Sequence, residues 1–157
     1  MLTAKSQGPL INSKVPSFEL PNYKGTYYTL SNLHGDSGLL LGFIGDIWNP
    51  TSIRRVLWLQ RHVNKFALLG MPIALLVQEP PSTLYGFQMS SPLPVSFPII
   101  ADEDGDVHMA YDMADTPGLL LIDRGHILRD KWMMSVERAW PRMNELVKAV
   151  QHVQAYV

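Results

Sequence analysis

The sequence contains no cysteine among its 157 residues. This absence excludes disulfide bonds, thiolate zinc sites, iron–sulfur clusters and every mechanism that uses a cysteine of this chain. The net charge is also small, since 13 basic and 14 acidic side chains leave a formal net charge of −1 at pH 7. We therefore expect neither nucleic acid nor an anionic membrane as a partner, because both attract strongly basic surfaces.

Long hydrophobic runs are missing as well. No segment approaches the roughly 20 apolar residues that span a bilayer, and the most apolar run, residues 39–48, is interrupted by Asp46. The first fourteen residues, MLTAKSQGPLINSK, contain no hydrophobic core of a signal peptide. The sequence thus predicts a cytoplasmic protein, and residues 1–14 are predicted to form a flexible or extended N-terminal segment.

The composition is that of a folded protein with many turns. Apolar residues make up 46% of the chain, and 12 prolines with 11 glycines supply the turns. The length suits one domain and is short for two. We predict a single domain over residues 1–157, which is large enough to bury a core without a metal or a disulfide.

Apolar patterns along the chain alternate between buried strands and helices. Apolar runs predict strands at 38–44, 73–77 and 97–101, and helical spacing predicts a long helix over 51–70. The other predicted elements are hairpins at 18–30 and 118–132, short helices capped by Ser31 and by Asp104 or Asp106, a helix at 82–89 and a closing helix at 141–156. Buried strands separated by helices indicate an α/β fold, with a largely parallel sheet, helices on both faces and an antiparallel edge.

Two groups of residues invite a metal assignment, and neither has the required spacing. Residues 102–106 read DEDGD, but a calcium-binding EF-hand loop needs glutamate at its twelfth position, which is Met113 here. A turn followed by a helix cap explains these residues better. The five histidines show no His-x-x-x-His spacing. The sequence therefore predicts no metal and no cofactor.

The segment WNPTS at residues 48–52 joins a buried strand to a long helix, and this arrangement resembles the thioredoxin-fold superfamily. Within it, the chain resembles the peroxiredoxin-like redoxins of the alkyl hydroperoxide reductase and thiol-specific antioxidant (AhpC/TSA) family. Three further segments resemble that family in the same order: VPSFELP at 15–21, FPIIAD at 97–102 and TPGLLLID at 116–123. The resemblance implies a thioredoxin-like, peroxiredoxin-like α/β fold with a central mixed sheet, helices on both faces and an N-terminal β-hairpin.

The residues that carry the chemistry of that family differ in this chain. In the redoxin pattern Trp-Cys-x-x-Cys, the two cysteine positions fall on Asn49 and Ser52. In the peroxiredoxin pattern Pro-x-x-x-Thr-x-x-Cys, the three diagnostic positions fall on Gly42, Asp46 and Asn49. An amide is a negligible nucleophile, and a serine hydroxyl cannot cycle between redox states. Asn49 followed by Pro50 is a good helix start, so capping explains these residue types without any reaction.

Thr116 and Pro117 stand where the resemblance would place a peroxide-binding arginine. They are similar instead to the cis-proline loop of thioredoxin-like reductases. The resemblance implies a cis bond between them and a position close to the turn at 48–52. It also implies a groove between these two segments, in which relatives hold an extended peptide. The predicted groove consists of Trp48, Asn49, Pro50, Thr51, Thr116 and Pro117.

The sequence leaves three functions open. The first is the antioxidant or oxidoreductase activity that the resemblance implies, here through a non-cysteine mechanism or a thiol supplied by a partner. The second is a degenerate family member that uses the groove as a binding or interaction module for a protein or peptide. The third is small-molecule binding in the same groove, with Trp48, Asn49 and Thr116 as contacts. We favour the second, and the resemblance further implies a homodimer.

Overall fold

The computed structural model of the chain describes residues 8–90, 95–114, 116–133 and 141–154. The strands are β1 (Glu19–Pro21), β2 (Tyr27–Thr29), β3 (Gly38–Gly45), β4 (Ile73–Val77), β5 (Ile99–Ala101), β6 (Gly118–Asp123) and β7 (Leu128–Met133). The helices are α1 (Leu30–Leu33), α2 (Pro50–Leu68), α3 (Pro81–Ser90), α4 (Asp106–Ala110) and α5 (Met143–Gln154). No helix within these described ranges is long and apolar enough to cross a membrane.

A five-stranded mixed sheet forms the centre of the molecule, in the order β5-β4-β3-β6-β7. β3 pairs in parallel with β4, and β4 pairs in parallel with β5. β6 runs antiparallel to β3, and β7 runs antiparallel to β6. A separate antiparallel pair, β1 and β2, forms the N-terminal hairpin. The predicted α/β class, the mixed sheet and the hairpin are confirmed.

Alternation along the strands divides the core into two layers, one on each face of the sheet. In β3, Leu40 and Ile44 face one layer, whereas Leu41 and Phe43 face the other. The first layer packs against buried side chains of α2, α3 and α5. The second packs against α1 and the residues that follow α4. Apolar residues at consecutive positions of a strand are therefore explained by burial of both faces, as the near-continuous run in β3 predicts.

Residues 12–14 of the predicted N-terminal segment, and Val15 after them, run alongside the start of β7. The Asn12 N–H donates to the Leu128 carbonyl at 2.8 Å, and the Val15 N–H donates to the His126 carbonyl at 2.9 Å. Lys14 pairs with Ile127 in an isolated antiparallel bridge. Residues 1–7 of that segment lie outside the described residues, as do residues 155 and 156 of the predicted closing helix.

The predicted cap of the first helix is wrong. Ser31 lies inside α1, and Thr29 is the capping residue. The Thr29 hydroxyl accepts the Asn32 N–H, and the Asn32 side chain accepts the Thr29 N–H. This reciprocal pair is a capping box, which satisfies two otherwise unpaired donors and places the helix start two residues earlier than a single serine cap would.

The predicted caps of the fourth helix are also wrong. Gly105 occupies the capping position in a left-handed conformation with φ of 77°, and no side chain caps from there. Asp102 performs this role from further back, because its carboxylate accepts the N–H groups of Val107 and His108. Asp104 and Asp106 are exposed. The turn at 102–105 folds back far enough for the buried carboxylate to reach the first turn of α4.

Candidate functional site

The carboxyl ends of β3, β4 and β5 meet at one edge of the sheet, together with the start of the antiparallel β6. In α/β sheets this edge is where ligands bind, because the loops that leave parallel strands converge there. The loops at this edge carry Asp46, Glu79, Asp102 and Thr116. The candidate site is built from these loops.

The turn after β3 is ordered by two side chains of its own. Asp46 accepts the backbone N–H of Trp48 at 2.8 Å. Asn49 takes the N-cap position of α2, and its Oδ1 accepts the Thr51 N–H at 2.9 Å. Pro50 follows at the first helical position, where the missing N–H has no consequence. Asn49 therefore caps the end of the helix at which the resemblance would place a reactive cysteine.

The other substituted cysteine position, Ser52, lies inside the protein. Ser52 is only 6% exposed. No hydrogen bond joins its hydroxyl to an imidazole or carboxylate within the described ranges. A serine needs such a base to become a nucleophile. Neither Asn49 nor Ser52 is thus arranged for covalent chemistry.

Trp48 is the prominent exposed side chain of this turn. It is 47% exposed, and its ring contacts Phe87 of α3 edge-on, with centroids 5.8 Å apart. Asn49, Pro50 and Thr51 are exposed beside it. An exposed tryptophan next to polar backbone groups is a common feature of protein-binding surfaces, because it offers a large apolar area with little conformational freedom to lose.

The predicted cis bond between Thr116 and Pro117 is wrong. No cis peptide bond occurs among the described residues, which include both of these. The trans form is the default for a bond before proline, since the cis form makes up only about 5–6% of such bonds. The trans bond leads directly into β6, whose Gly118 pairs with Phe43 of β3. The part of the groove hypothesis that needed backbone pairing beside a cis proline is therefore withdrawn.

Two of the six residues of the predicted groove line a cavity at this edge of the sheet. Thr116 and Pro117 line a cavity of about 140 Å³ with the end of β3 and His108. None of Trp48, Asn49, Pro50 and Thr51 lines that cavity. Trp48 instead rests on α3.

Two carboxyl groups interact beside the turn. Glu79 follows β4, and Asp46 follows β3, so parallel pairing of these strands brings both to the same edge. Burial, the negative charge of Asp46 and a hydrogen bond with Asp46 raise the pKa of Glu79 above its ordinary value. A hydrogen bond between two carboxyl groups requires a proton on one of them. Glu79 therefore retains its proton to higher pH than an isolated glutamate does.

A buried pair of Asp102 and His108 lies behind the cavity. His108 Nδ1 is 2.6 Å from Asp102 Oδ2, and both side chains are almost fully buried. Burial by itself raises the pKa of Asp102, but hydrogen bonds from the His108 side chain and from the His108 and Val107 N–H groups outweigh it and lower that pKa. Asp102 is thus ionised near neutral pH and accepts a hydrogen bond from the Nδ1–H group of His108.

His108 carries no signal of a functional site in the spacing of the histidines. A search for metal-ligand spacing compares histidines with one another, whereas the partner of His108 is an aspartate six residues earlier. The signal was an acidic residue directly after a buried strand, followed by a histidine in the next short helix. Within the described ranges, no three His, Asp or Glu side chains converge closely enough to hold a metal ion.

Comparison with known proteins identifies a matching family and solved structures with a similar fold. A family model described as the AhpC/TSA family matches residues 11–131. A search of the curated proteins gives no match. Peroxidoxin BcpB from Mycobacterium tuberculosis is similar in structure, with a TM-score of 0.76 and 19% sequence identity over 94% of this chain and 97% of that one.

Two other peroxiredoxin structures are similar to the same extent. The 2-Cys peroxiredoxin of Plasmodium vivax has a TM-score of 0.79 and 12% identity over 93% of this chain and 97% of that one. The mitochondrial 1-Cys peroxiredoxin of yeast has a TM-score of 0.78 and 19% identity over 99% of this chain and 78% of that one. At identities this low, the TM-scores establish the common fold, and the activity has to be argued from the site itself.

Proposed function

Because the chain belongs to the AhpC/TSA family and contains no cysteine, we propose that it is a degenerate member that binds a protein or peptide instead of reducing peroxides or disulfides. The binding surface consists of the exposed turn at Trp48, Asn49, Pro50 and Thr51, with Thr116 and Pro117 at the same edge of the sheet. One observation carries the proposal: the helix end where the family chemistry belongs is capped by the Asn49 amide, and a half-exposed tryptophan stands beside it.

The physical argument begins with the helix terminus. The N-terminus of a helix carries partial positive charge, which in a thiol enzyme stabilises a thiolate. Here the Asn49 Oδ1 accepts the Thr51 N–H, so an uncharged acceptor occupies the position of the thiolate. Without a thiolate at this helix end there is no nucleophile for a covalent step, and the turn itself stays exposed. Trp48 then provides apolar contact area, and the surrounding backbone groups provide hydrogen bonds to a partner.

Turnover measurements test the loss of chemistry. We expect no peroxide or disulfide turnover by the wild-type protein with a thiol donor, beyond the rate of the donor alone. The double variant Asn49→Cys, Ser52→Cys places two thiols at the redoxin positions, the first at the helix end where its pKa would be lowered. Turnover by this variant alone supports an intact site geometry. Turnover by the wild type would overturn the proposal and require a cysteine-free mechanism, and silence of both proteins would contradict the preserved geometry.

Peptide selection tests the binding surface. A library of random extended peptides is panned against the wild-type protein, and the affinities of selected peptides are then measured for variants. We expect Trp48→Ala to weaken binding at least about tenfold, as loss of an aromatic contact at an interface does. Leu68→Ala is the matched control, because Leu68 is 89% exposed at the opposite end of α2. Peptides that lose affinity equally with both variants, or with neither, would exclude this surface.

A further inference from the structure

Charge is distributed unevenly on helix α2. The helix contains four of the 13 lysine and arginine residues of the chain and none of its 14 aspartate and glutamate residues. The formal net charge of the whole chain is −1, so the basic character belongs to this helix and not to the protein as a whole. Exposed helices gain stability from acidic and basic residues four positions apart, and α2 contains no such pair.

Three of these basic side chains form a line along the exposed side of the helix. Arg54, Arg61 and Lys65 are exposed. With about 3.6 residues per turn, they lie within about 40° of one another around the helix axis and span roughly 16 Å along it. No carboxylate in the described ranges forms an ion pair with any of the three. We call these three residues the basic face.

Like charges on the basic face repel one another. Arg61 and Lys65 stand four positions apart, where like charges destabilise a helix. Their charges also act on His62, whose ring packs edge-on against Trp58 with centroids 4.9 Å apart. Burial, followed by the charges of Arg61 and Lys65, lowers the pKa of His62. Because the helix has no carboxylate, negative charge from another molecule would relieve this repulsion.

The basic face begins at the proposed peptide surface. The Arg54 guanidinium donates a long hydrogen bond of 3.4 Å to the hydroxyl of Thr51, and Thr51 belongs to the exposed turn at 48–51. A peptide bound at that turn therefore lies next to the first cation of α2. An extended chain rises about 3.3 Å per residue, so about five residues cover the distance from Arg54 to Lys65.

We propose that the protein or peptide bound by this chain contains an acidic segment of about five or six residues, which lies along the basic face and pairs its carboxylates with Arg54, Arg61 and Lys65. This inference rests on the proposed function and adds the chemical class of the partner. Anionic membranes and nucleic acids are bound by larger basic clusters or by chains of positive charge. Three cations in line beside an exposed tryptophan match a short acidic peptide better.

Hexaglutamate and hexaglutamine, both with blocked ends, are the matched probes, because they have the same length and differ in charge. Each is titrated into the full-length protein by calorimetry at low ionic strength and again in about 0.5 M salt. We expect hexaglutamate to bind at least about tenfold more tightly than hexaglutamine at low ionic strength. Salt should remove that difference, since it screens ion pairs between exposed groups.

A triple variant removes the basic face. Arg54→Gln, Arg61→Gln and Lys65→Gln eliminate the three charges and keep a good helix former at each position. We expect the affinity for hexaglutamate to fall at least about tenfold, because three exposed ion pairs are lost together. The circular dichroism spectrum should remain that of the wild type, since no buried residue is changed.

A second triple variant is the control for net charge. Lys14→Gln, Lys24→Gln and Arg124→Gln remove three positive charges at exposed positions outside α2. We expect the affinity for hexaglutamate to stay within about twofold of the wild type, because exposed charges farther away than a Debye length are largely screened.

His62 gives a measurement at the basic face itself. The imidazole signals of ¹⁵N-labelled histidine are followed through a pH titration, with and without saturating hexaglutamate. We expect hexaglutamate to raise the pKa of His62, because its carboxylates offset the charges of Arg61 and Lys65 that lower it. Hexaglutamine should leave the titration of His62 unchanged.

The failure of this proposal is distinguishable from failure of the peptide surface at the turn. Trp48→Ala tests the turn and changes no charge of α2. Selected peptides that lose affinity with Trp48→Ala and not with the basic-face variant would support the proposed function and overturn the acidic partner. Hexaglutamate binding that depends on the basic face would support the acidic partner even where Trp48→Ala has no effect.

Three further results would overturn the acidic partner. The first is equal binding of the two hexapeptides, or binding of neither. The second is an equal loss of hexaglutamate affinity in the basic-face variant and in its net-charge control. The third is tighter binding of a single-stranded DNA hexamer, or of vesicles of phosphatidylserine and phosphatidylcholine, than of hexaglutamate.

Discussion

Asp102 is the single residue whose ionisation contributes most clearly to this fold. Its buried carboxylate accepts three hydrogen bonds, from the Val107 N–H, the His108 N–H and the His108 side chain. Hydrogen bonds to a charged group are worth about 1.5–3 kcal/mol, and a buried donor without a partner is destabilising by a similar amount. Asp102 thereby ties the end of β5 to the first turn of α4 and sets the orientation of the imidazole.

The first prediction concerns the pH dependence of stability. The pKa of Asp102 is lower in the folded protein than its ordinary value of 3.8. The carboxylate therefore stabilises the fold above that ordinary value, and the stabilisation is lost as the pH falls through the lower folded pKa. We expect Asp102→Asn to lower the free energy of unfolding by about 1–3 kcal/mol at pH 7. The difference in free energy between the wild type and this variant should shrink toward pH 3.

Urea denaturation at a series of pH values measures this difference. Asp104→Asn is the control, since Asp104 lies in the same turn and is exposed. It should change the free energy of unfolding by less than about 0.5 kcal/mol. A difference between wild type and Asp102→Asn that stays constant from pH 7 to pH 3 would show that the ionised carboxylate is not the source of the stabilisation.

The second prediction concerns the cap of α2. Asn49→Ala removes the oxygen that accepts the Thr51 N–H, and we expect it to lower the free energy of unfolding by about 1 kcal/mol. Asn49→Asp should retain the stability, because the carboxylate also accepts this hydrogen bond and interacts favourably with the helix terminus. Asn64→Ala, an exposed change within the same helix, should cause no loss. Equal effects of the two alanine variants in urea denaturation would contradict the capping role.

At the scale of the elements, β3 requires its glycine at position 38, whereas α3 does not require its glycine at position 86. Gly38 opens β3 with φ of 137°, and a Cβ atom there would lie 2.0 Å from the Ile122 carbonyl oxygen. Gly86 lies in the middle of α3, and a Cβ atom there would meet nothing within 4 Å. The first glycine permits close approach of β6 to β3. The second only adds conformational freedom to the unfolded chain.

The third prediction compares alanine at these two positions. Gly38→Ala should lower the free energy of unfolding by at least about 2 kcal/mol, because it combines an unfavourable φ with a backbone clash. Gly86→Ala should raise it by about 0.5–1 kcal/mol, since alanine is the better helix former. Thermal denaturation of the two variants beside the wild type tests both signs. A stability loss in Gly86→Ala would mean that α3 is not helical there in solution.

At the scale of the whole molecule, stability should be graded from the centre of the sheet outward. β3 lies between β4 and β6, and its residues are buried on both faces. The β1 and β2 hairpin forms a sheet of its own, with only three residues in each strand. Opening the hairpin exposes little apolar surface, whereas exposing β3 requires disruption of both core layers.

The fourth prediction follows from this arrangement. Amide hydrogen exchange, corrected for intrinsic rates, should be at least about a hundredfold slower in β3 than in β1 and β2, because the hairpin opens locally while β3 opens only with global unfolding. Exchange measured by mass spectrometry or NMR at neutral pH provides the test. Equal protection of the hairpin and β3 would indicate that the two sheets unfold as one cooperative unit.

Much of the fold could be predicted from the sequence because its signals are local. The apolar runs of β3 and β4 and the helical spacing of α2 report burial directly along the chain. Asn49 and Pro50 mark the start of α2 for the same reason. The two wrong caps show the limit, since Thr29 acts through a reciprocal partner and Asp102 acts from the far end of the turn before its helix.

By itself, the sequence determined the α/β class, the main elements and the absence of thiol chemistry, because periodicity, helix caps and residue types are properties of neighbouring positions. Only the tertiary structure decided that Asp102 orients His108, that Thr116 and Pro117 are joined by a trans bond, and that a cavity opens between them and β3. These features depend on how loops from different strands meet at one edge of the sheet. The arrangement of these loops cannot be read from a periodic pattern, because it results from packing between segments that are distant in the chain.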